Sequence, residues 1–345
     1  MDATILLFLI QDGITNGAIY ALLGIALVLV FTVTRVIFVP QGEFVAYGAL
    51  TLAMLDTGKV PGTVGLLLVF GVCAFLSQLW NGWRDIDLAR LGRDAAFNLL
   101  LPAAIAAMTF WLAPMKLPPW ASVALTLVII APMGPYLYAI AFRPIAEASV
   151  LTLFIVSIGV HLAMTGLGLV FFGAEGFRAR PLTDVTVPAG PLVFTGQTLS
   201  VYAVTLVSML ALSFFFHKPL FGKALRATAV NRLGARLVGI SASLSGSIAF
   251  GLAAILGALS GALIAPIATV FYDSGFIIGL KGFIAAIIGS LASYPLTALA
   301  AIGVGLVESF ASFHASYLKE VIVFTLIIPV LIWLSFAHGH TDEED

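Results

Sequence analysis

Apolar residues run along this chain in long unbroken stretches separated by short polar breaks. The stretches fall at about 14–35, 41–56, 62–80, 96–112, 120–142, 149–173, 198–217, 245–271, 276–293, 296–313 and 318–337. A helix needs about 20 residues to cross ~30 Å of hydrocarbon, so most of these runs are long enough to span a bilayer. Those at 41–56 and 276–293 are short enough to be half-helices or re-entrant elements. Each follows a breaker, Pro40-Gln41-Gly42 in one case and Asp273-Ser274-Gly275 in the other. The pattern predicts an all-α, polytopic transmembrane helical bundle of about eight to eleven segments, forming one domain over residues 1–345.

Composition removes the soluble alternative. Hydrophobic residues make up 61% of the chain and charged residues 10%, against roughly 25% charged in ordinary soluble domains. Mean hydropathy is +1.12, more apolar surface than one core buries, so lipid must solvate much of it. The net charge of −1 gives no sign of nucleic-acid binding. The single cysteine, Cys73, excludes an intrachain disulfide. The first basic residue is Arg35, so no basic region precedes the first apolar run, as a cleavable signal would require.

The cations set the expected topology. Residues 218–244 form a basic island holding Lys218, Lys223, Arg226, Arg232 and Arg236 without an acid among them, which places this loop in the cytoplasm by the positive-inside rule. Alternation then puts Arg143 and the 81–95 loop inside, the 174–197 loop outside and the N-terminus outside. Loop 81–95 holds Arg84, Arg90 and Arg93, which agrees with a position inside. Trp80, Trp83, Trp111, Trp120 and Trp333 lie near segment ends, where an apolar ring with one N–H suits the interface. The acidic end, 338–345, reads as a solvated tail, and its His338 and His340 as part of that tail rather than a metal site.

Within the basic island, Gly222, Ala224, Ala227, Ala229, Ala235 and Gly239 would give a short helix a smooth, closely approachable surface. A smooth cytoplasmic helix on a membrane protein points to a docking site for another protein, and so to a subunit driven by a partner. No G-x-x-x-x-G-K-S/T loop is present, so ATP is not expected to be hydrolysed here through that motif. No catalytic constellation and no H-E-x-x-H motif appears. Intramembrane ionisable residues are costly unless they face protein or water; Glu43, Lys281 and Glu308 qualify, and only Glu308 looks deep. That supply is thin for an ion-coupled secondary transporter of small solutes, the alternative reading. Gly13 and Gly17, like Gly257 and Gly261, put two glycines on one helix face for close packing.

Three stretches carry a family resemblance. Gly13-Ile14-Thr15-Asn16-Gly17-Ala18-Ile19-Tyr20-Ala21-Leu22 resembles the opening span of the permeases of branched-chain amino acid ABC importers, the high-affinity Liv type. Gln41-Gly42-Glu43-Phe44 with Gly48-Ala49 resembles that family's Asn-Phe-Ala-His/Gln-Gly-Glu segment, although Ile37-Phe38-Val39-Pro40 replaces its first residues. Gly222-Lys223-Ala224-Leu225-Arg226-Ala227-Thr228-Ala229, followed by Ala235, Gly239 and Ile240, resembles its cytoplasmic coupling loop. The run from Gly282 to Gly289 also fits, whereas 57–120, read as an additional hairpin around the 81–95 loop, is not explained by the resemblance, and the family's common terminal Arg-Pro is missing.

The resemblance implies a non-enzymatic permease of the bacterial inner membrane. It implies partners as well: a second related permease, two ABC ATPase subunits carrying ATP and magnesium, and a periplasmic solute-binding protein. Coupling to the ATPase is expected at Gly222, Arg226, Ala227, Ala229, Ala235, Gly239 and Ile240. The candidate translocation path is Gln41, Gly42 and Glu43, where a half-helix leaves free N–H groups for a carboxylate, with Tyr20 facing them. Glu308 is expected to make a buried hydrogen bond to a neighbouring helix.

Overall fold

A computed structural model describes residues 3–81 and 88–338. Eight helices in it are long and apolar enough to cross a membrane. In chain order the elements open with α1 (Ala3–Thr34), α2 (Gln41–Asp56), α3 (Thr63–Asn81), α4 (Leu88–Ala95) and α5 (Leu101–Leu112). There follow α6 (Pro119–Ile130), α7 (Met133–Leu137), α8 (Val150–Phe172), the strands β1 (Thr186–Ala189) and β2 (Leu192–Thr195), and α9 (Gly196–His217). The chain ends with α10 (Leu220–Val230), α11 (Arg232–Leu237), α12 (Ala242–Ile264), α13 (Ser274–Ile288), α14 (Tyr294–His314), α15 (Lys319–Thr325) and α16 (Ile327–His338). Wide helical turns at Ala96–Leu100 and Tyr138–Phe142 join α4 to α5 and continue α7.

Local chemistry explains most boundaries. Ser149, Thr195, Ser241 and Ser293 each accept the amide of the residue three positions on, opening α8, α9, α12 and α14; such a cap contributes about 1 kcal/mol. The apolar run expected over 245–271 stops as a helix at Ile264, because Pro266 has no N–H to continue the ladder. The run at 276–293 ends at Ile288, where Ser290 and Leu291 take positive φ. The first helix starts at Ala3 rather than near residue 14: Gln11 and Asp12 lower hydropathy without breaking a helix. The 174–197 loop contains the antiparallel β1–β2 hairpin.

Helices α1, α2, α12, α13 and α14 form the centre. Gly13 and Gly17 seat α1 on α14, where a Cβ at either would collide with the Leu306 or Ile302 backbone. Gly261 does the same for α12 against the Val45 carbonyl of α2, and a Cβ on Gly257 would strike the Phe44 side chain. Both glycine pairs thus allow the close backbone approach that packing within lipid favours. Helices α8 and α9 lie at the periphery and keep many apolar side chains exposed, as lipid contact requires. Trp80, Trp111 and Trp120 are exposed too. Arg35, the 146–148 turn and the α10–α11 segment line one cavity and so share one end of the bundle, called here the basic end. The β1–β2 hairpin and the Asp56–Arg180 ion pair mark the other, hairpin end. Of the 81–95 loop, residues 82–87, including Trp83 and Arg84, lie outside the described residues, as do residues 339–345 of the tail.

Candidate functional site

Helices α2 and α13 start deep in the bundle, and their first turns meet. A Cβ on Gly42 would strike the Gly275 carbonyl, and one on Gly279 would strike Gly42. The level of this crossing follows from α12, whose Gly257 packs on Gln41 and Phe44, past the midpoint of its helix. Neither Pro40 before α2 nor Asp273 before α13 caps its helix with a side chain. Two helix N-termini, each carrying partial positive charge, therefore converge away from either end of the bundle.

The side chains around them are polar and buried. Gln41 and Glu43 are 1% and 0% exposed. Gln41 Nε2 donates to the Ala253 carbonyl at 2.9 Å, leaving its Oε1 buried with no donor. Glu43 lies in the first turn of α2, and its Oε1 is 3.0 Å from His161 Nδ1 of α8. The His161 ring in turn stacks on Phe276 of α13, centroids 4.7 Å apart. Beside them, a cavity of about 410 Å³ is bounded by α1, the 37–39 segment, α8 and α13. Leu27, Phe38, Ile158 and Phe283 give it apolar walls, and Gln41 and His161 are its polar members. A mostly apolar cavity with a few fixed polar groups is the general form of a small-molecule site.

Tyr20 is not part of this group. Its hydroxyl donates to Glu308 Oε2 at 2.6 Å, and Lys281 Nζ lies 2.5 Å from Glu308 Oε1 and 3.2 Å from Glu320 Oε1. The expectation that Tyr20 faces Gln41–Glu43 is corrected: it points across α1 to α14. Sequence reasoning missed His161; the one available signal was an ionisable residue inside an apolar run of α8. Among the described residues, no group of three or more His, Cys, Asp or Glu is placed to hold a metal ion.

The basic loop also differs from expectation. Gly222 is buried, and a Cβ there would meet the Phe215 carbonyl at the end of α9. Leu225, Thr228 and Ala235 are buried as well, so helical periodicity turns part of the small-residue stripe inward. Arg226 and Ala229 face outward, and Ala227 is half-buried. The outer surface is instead large and apolar: Leu220, Val230 and Leu237 are more than 80% exposed, with Leu233 and Val238 beside them. Gly239 ends α11 with φ +85, a conformation costly to other residues, and Ile240 donates its amide to the Ala235 carbonyl.

A bundle of membrane-length helices with buried polar helix ends inside and a basic helical segment packed at one end fits a multi-pass membrane transport subunit. More particularly, residues 9–331 match the family described as branched-chain amino acid transport system / permease component, and the chain belongs to that family. It is 25% identical to the high-affinity branched-chain amino acid transport system permease protein LivH of Escherichia coli K12, covering 96% of this chain and 95% of that protein. It is 24% identical to LivH of Salmonella typhimurium over the same shares. Identity to BraD of Pseudomonas aeruginosa, a permease protein of the same kind of system, is 23% over 93% of this chain and 92% of that protein. No solved structure matches the chain.

Proposed function

We propose that this chain is the permease of an ATP-driven importer in a bacterial inner membrane, carrying branched-chain amino acids or a related small polar solute. It works beside a second related permease, with two ABC ATPase subunits and a periplasmic solute-binding protein. ATP and magnesium act on the ATPases, and the basic end faces the cytoplasm. One observation carries this reading: the α10–α11 segment exposes Leu220, Val230, Leu233, Leu237 and Val238 among its basic residues. A contiguous exposed apolar patch with a polar rim marks a protein contact. Movement of that contact as the ATPases close reaches the bundle through Gly222, packed against the end of α9, and Leu225, which packs with Leu29 and Val33 of α1. The solute passes by the cavity at Gln41 and His161, where the α2 N-terminus and the Gln41 Oε1 offer complementary partners to a carboxylate and an ammonium.

The test is co-purification. Leu233→Glu with Leu237→Glu should abolish recovery of the ATPase subunits while the permease still inserts; unchanged recovery would refute the docking role. A separate variant tests the turn. Gly239→Val should keep the ATPases bound but uncouple their hydrolysis from solute, since a β-branched residue at positive φ costs roughly 1–2 kcal/mol and reorients the segment. Solute-stimulated hydrolysis equal to wild type would refute this. Uptake that follows an ion gradient with no ATPase present would instead favour a secondary transporter.

A further inference from the structure

At the basic end, a second cavity of about 500 Å³ lies between the end of α1, the 146–148 turn and the α10–α11 segment. Three arginines line it: Arg35, Arg232 and Arg236. Arg236 Nη1 pairs with the exposed Glu147 at 2.5 Å, and this arginine holds the Glu147 carboxyl below the usual carboxylate range. Arg232 Nη1 donates to the Ala146 carbonyl at 2.9 Å, while its buried Nε–H has no acceptor. Arg35 makes no ion pair among the described residues, and its backbone is held at φ 61, a conformation uncommon outside glycine and found at ligand clamps. Three arginine residues thus border one cavity with a single carboxylate. Like charges so placed disfavour one another, and an anion among them would be stabilised by each.

We propose that this cavity binds a phosphate-bearing anion. Planar guanidinium forks match phosphate oxygens two at a time, and the Arg232 Nε–H is an unused donor already in place. A cavity of about 500 Å³ holds a phosphate ester as well as a bare ion. An anionic lipid headgroup and a soluble phosphate share this chemistry. The consequence is mechanical as well as electrostatic. The three walls belong to α1, to the turn before α8 and to the α10–α11 segment, so a bound phosphate ties that segment to the bundle and, on the coupling role proposed above, modulates how its movement is passed on.

The experiment uses the purified assembly in nanodiscs of phosphatidylcholine alone, to which either phosphatidylglycerol or soluble pyrophosphate is added. Thermal stability and native mass spectrometry read binding, and neither needs transport. A shift with phosphatidylglycerol only assigns the site to lipid; a shift with pyrophosphate only assigns it to a soluble anion. Either supports the site provided Arg35→Gln with Arg232→Gln weakens binding by roughly tenfold or more, the loss expected of charge-assisted hydrogen bonds, while Arg35→Lys retains part of it. Absence of a shift from both probes overturns the proposal. So does an equal shift in the double variant, which would mean adsorption to other cations. So too does loss of the ATPase subunits from Arg35→Gln in phosphatidylcholine alone, which would make the cavity a subunit contact.

Discussion

Replacing Lys281 with methionine is expected to destabilise the bundle by ~3–5 kcal/mol, the usual cost of leaving one partner of a buried pair uncompensated. The side chain of Lys281 is 5% exposed and that of Glu308 10%. The ammonium lies between Glu308 and Glu320, and Tyr20 donates to the other oxygen of Glu308. Without the lysine, the buried Glu308 carboxylate is left without its counter-ion and facing the part-exposed Glu320, and α1, α13, α14 and α15 lose their shared contact. Glu308→Gln added to Lys281→Met should restore much of the loss, because a neutral amide still accepts from Tyr20 without a counter-ion. Thermal unfolding of the purified protein followed by intrinsic fluorescence measures both. A single variant as stable as wild type would mean that the pair does not hold these helices, and a double variant no better than the single would exclude charge imbalance as the cause. Neither Lys281 nor Glu308 lines the 410 Å³ cavity, so solute affinity in the stable double variant should remain near wild type.

How far such features can be read from sequence depends on whether they are local. Membrane segments are legible because length and hydropathy decide them, and the two glycine pairs because a spacing of four places both on one helix face. The starts of α8, α9, α12 and α14 follow from hydroxyl caps three residues ahead of the bonded amide. The Tyr20–Glu308 bond joins residues 288 positions apart, and no periodicity within α1 tells which neighbour its tyrosine meets. Lys281 was visible as an intramembrane charge, but its two acceptors come from α14 and α15. In the basic loop, residue types were legible and direction was not. Gly222 and Ala235 suggest a smooth face, yet the fold uses both to pack the segment on the bundle and turns Leu220, Leu233 and Leu237 outward. At the deep crossing, Gln41, Gly42 and Glu43 stood out by their place after Pro40, whereas His161 and Phe276 join them only through tertiary packing.

Gly42 is where that crossing is most exposed to a single change. Its missing side chain lets α2 and α13 touch backbone to backbone at Gly275 and Gly279, so Gly42→Leu must drive the two N-termini apart and displace Gln41 and Glu43. Solute uptake should be lost, whereas the α10–α11 surface lies at the basic end and ATPase recovery should persist. Gln41→Met separates chemistry from spacing. It keeps the side-chain length, removes the Oε1 acceptor and the bond to Ala253, and should lower uptake roughly tenfold or more if that oxygen meets an ammonium, since hydrogen bonds to charged groups are worth about 1.5–3 kcal/mol. His161→Phe preserves an aromatic ring against Phe276 but leaves Glu43 without its neighbour, so uptake should fall here too. Radiolabelled uptake in vesicles containing the whole assembly checks all three. Normal uptake by Gln41→Met and His161→Phe together with loss in Gly42→Leu would assign the crossing a purely structural role and move the solute path elsewhere. Loss in all three with ATPase recovery intact would place the path at the meeting of α2, α8 and α13.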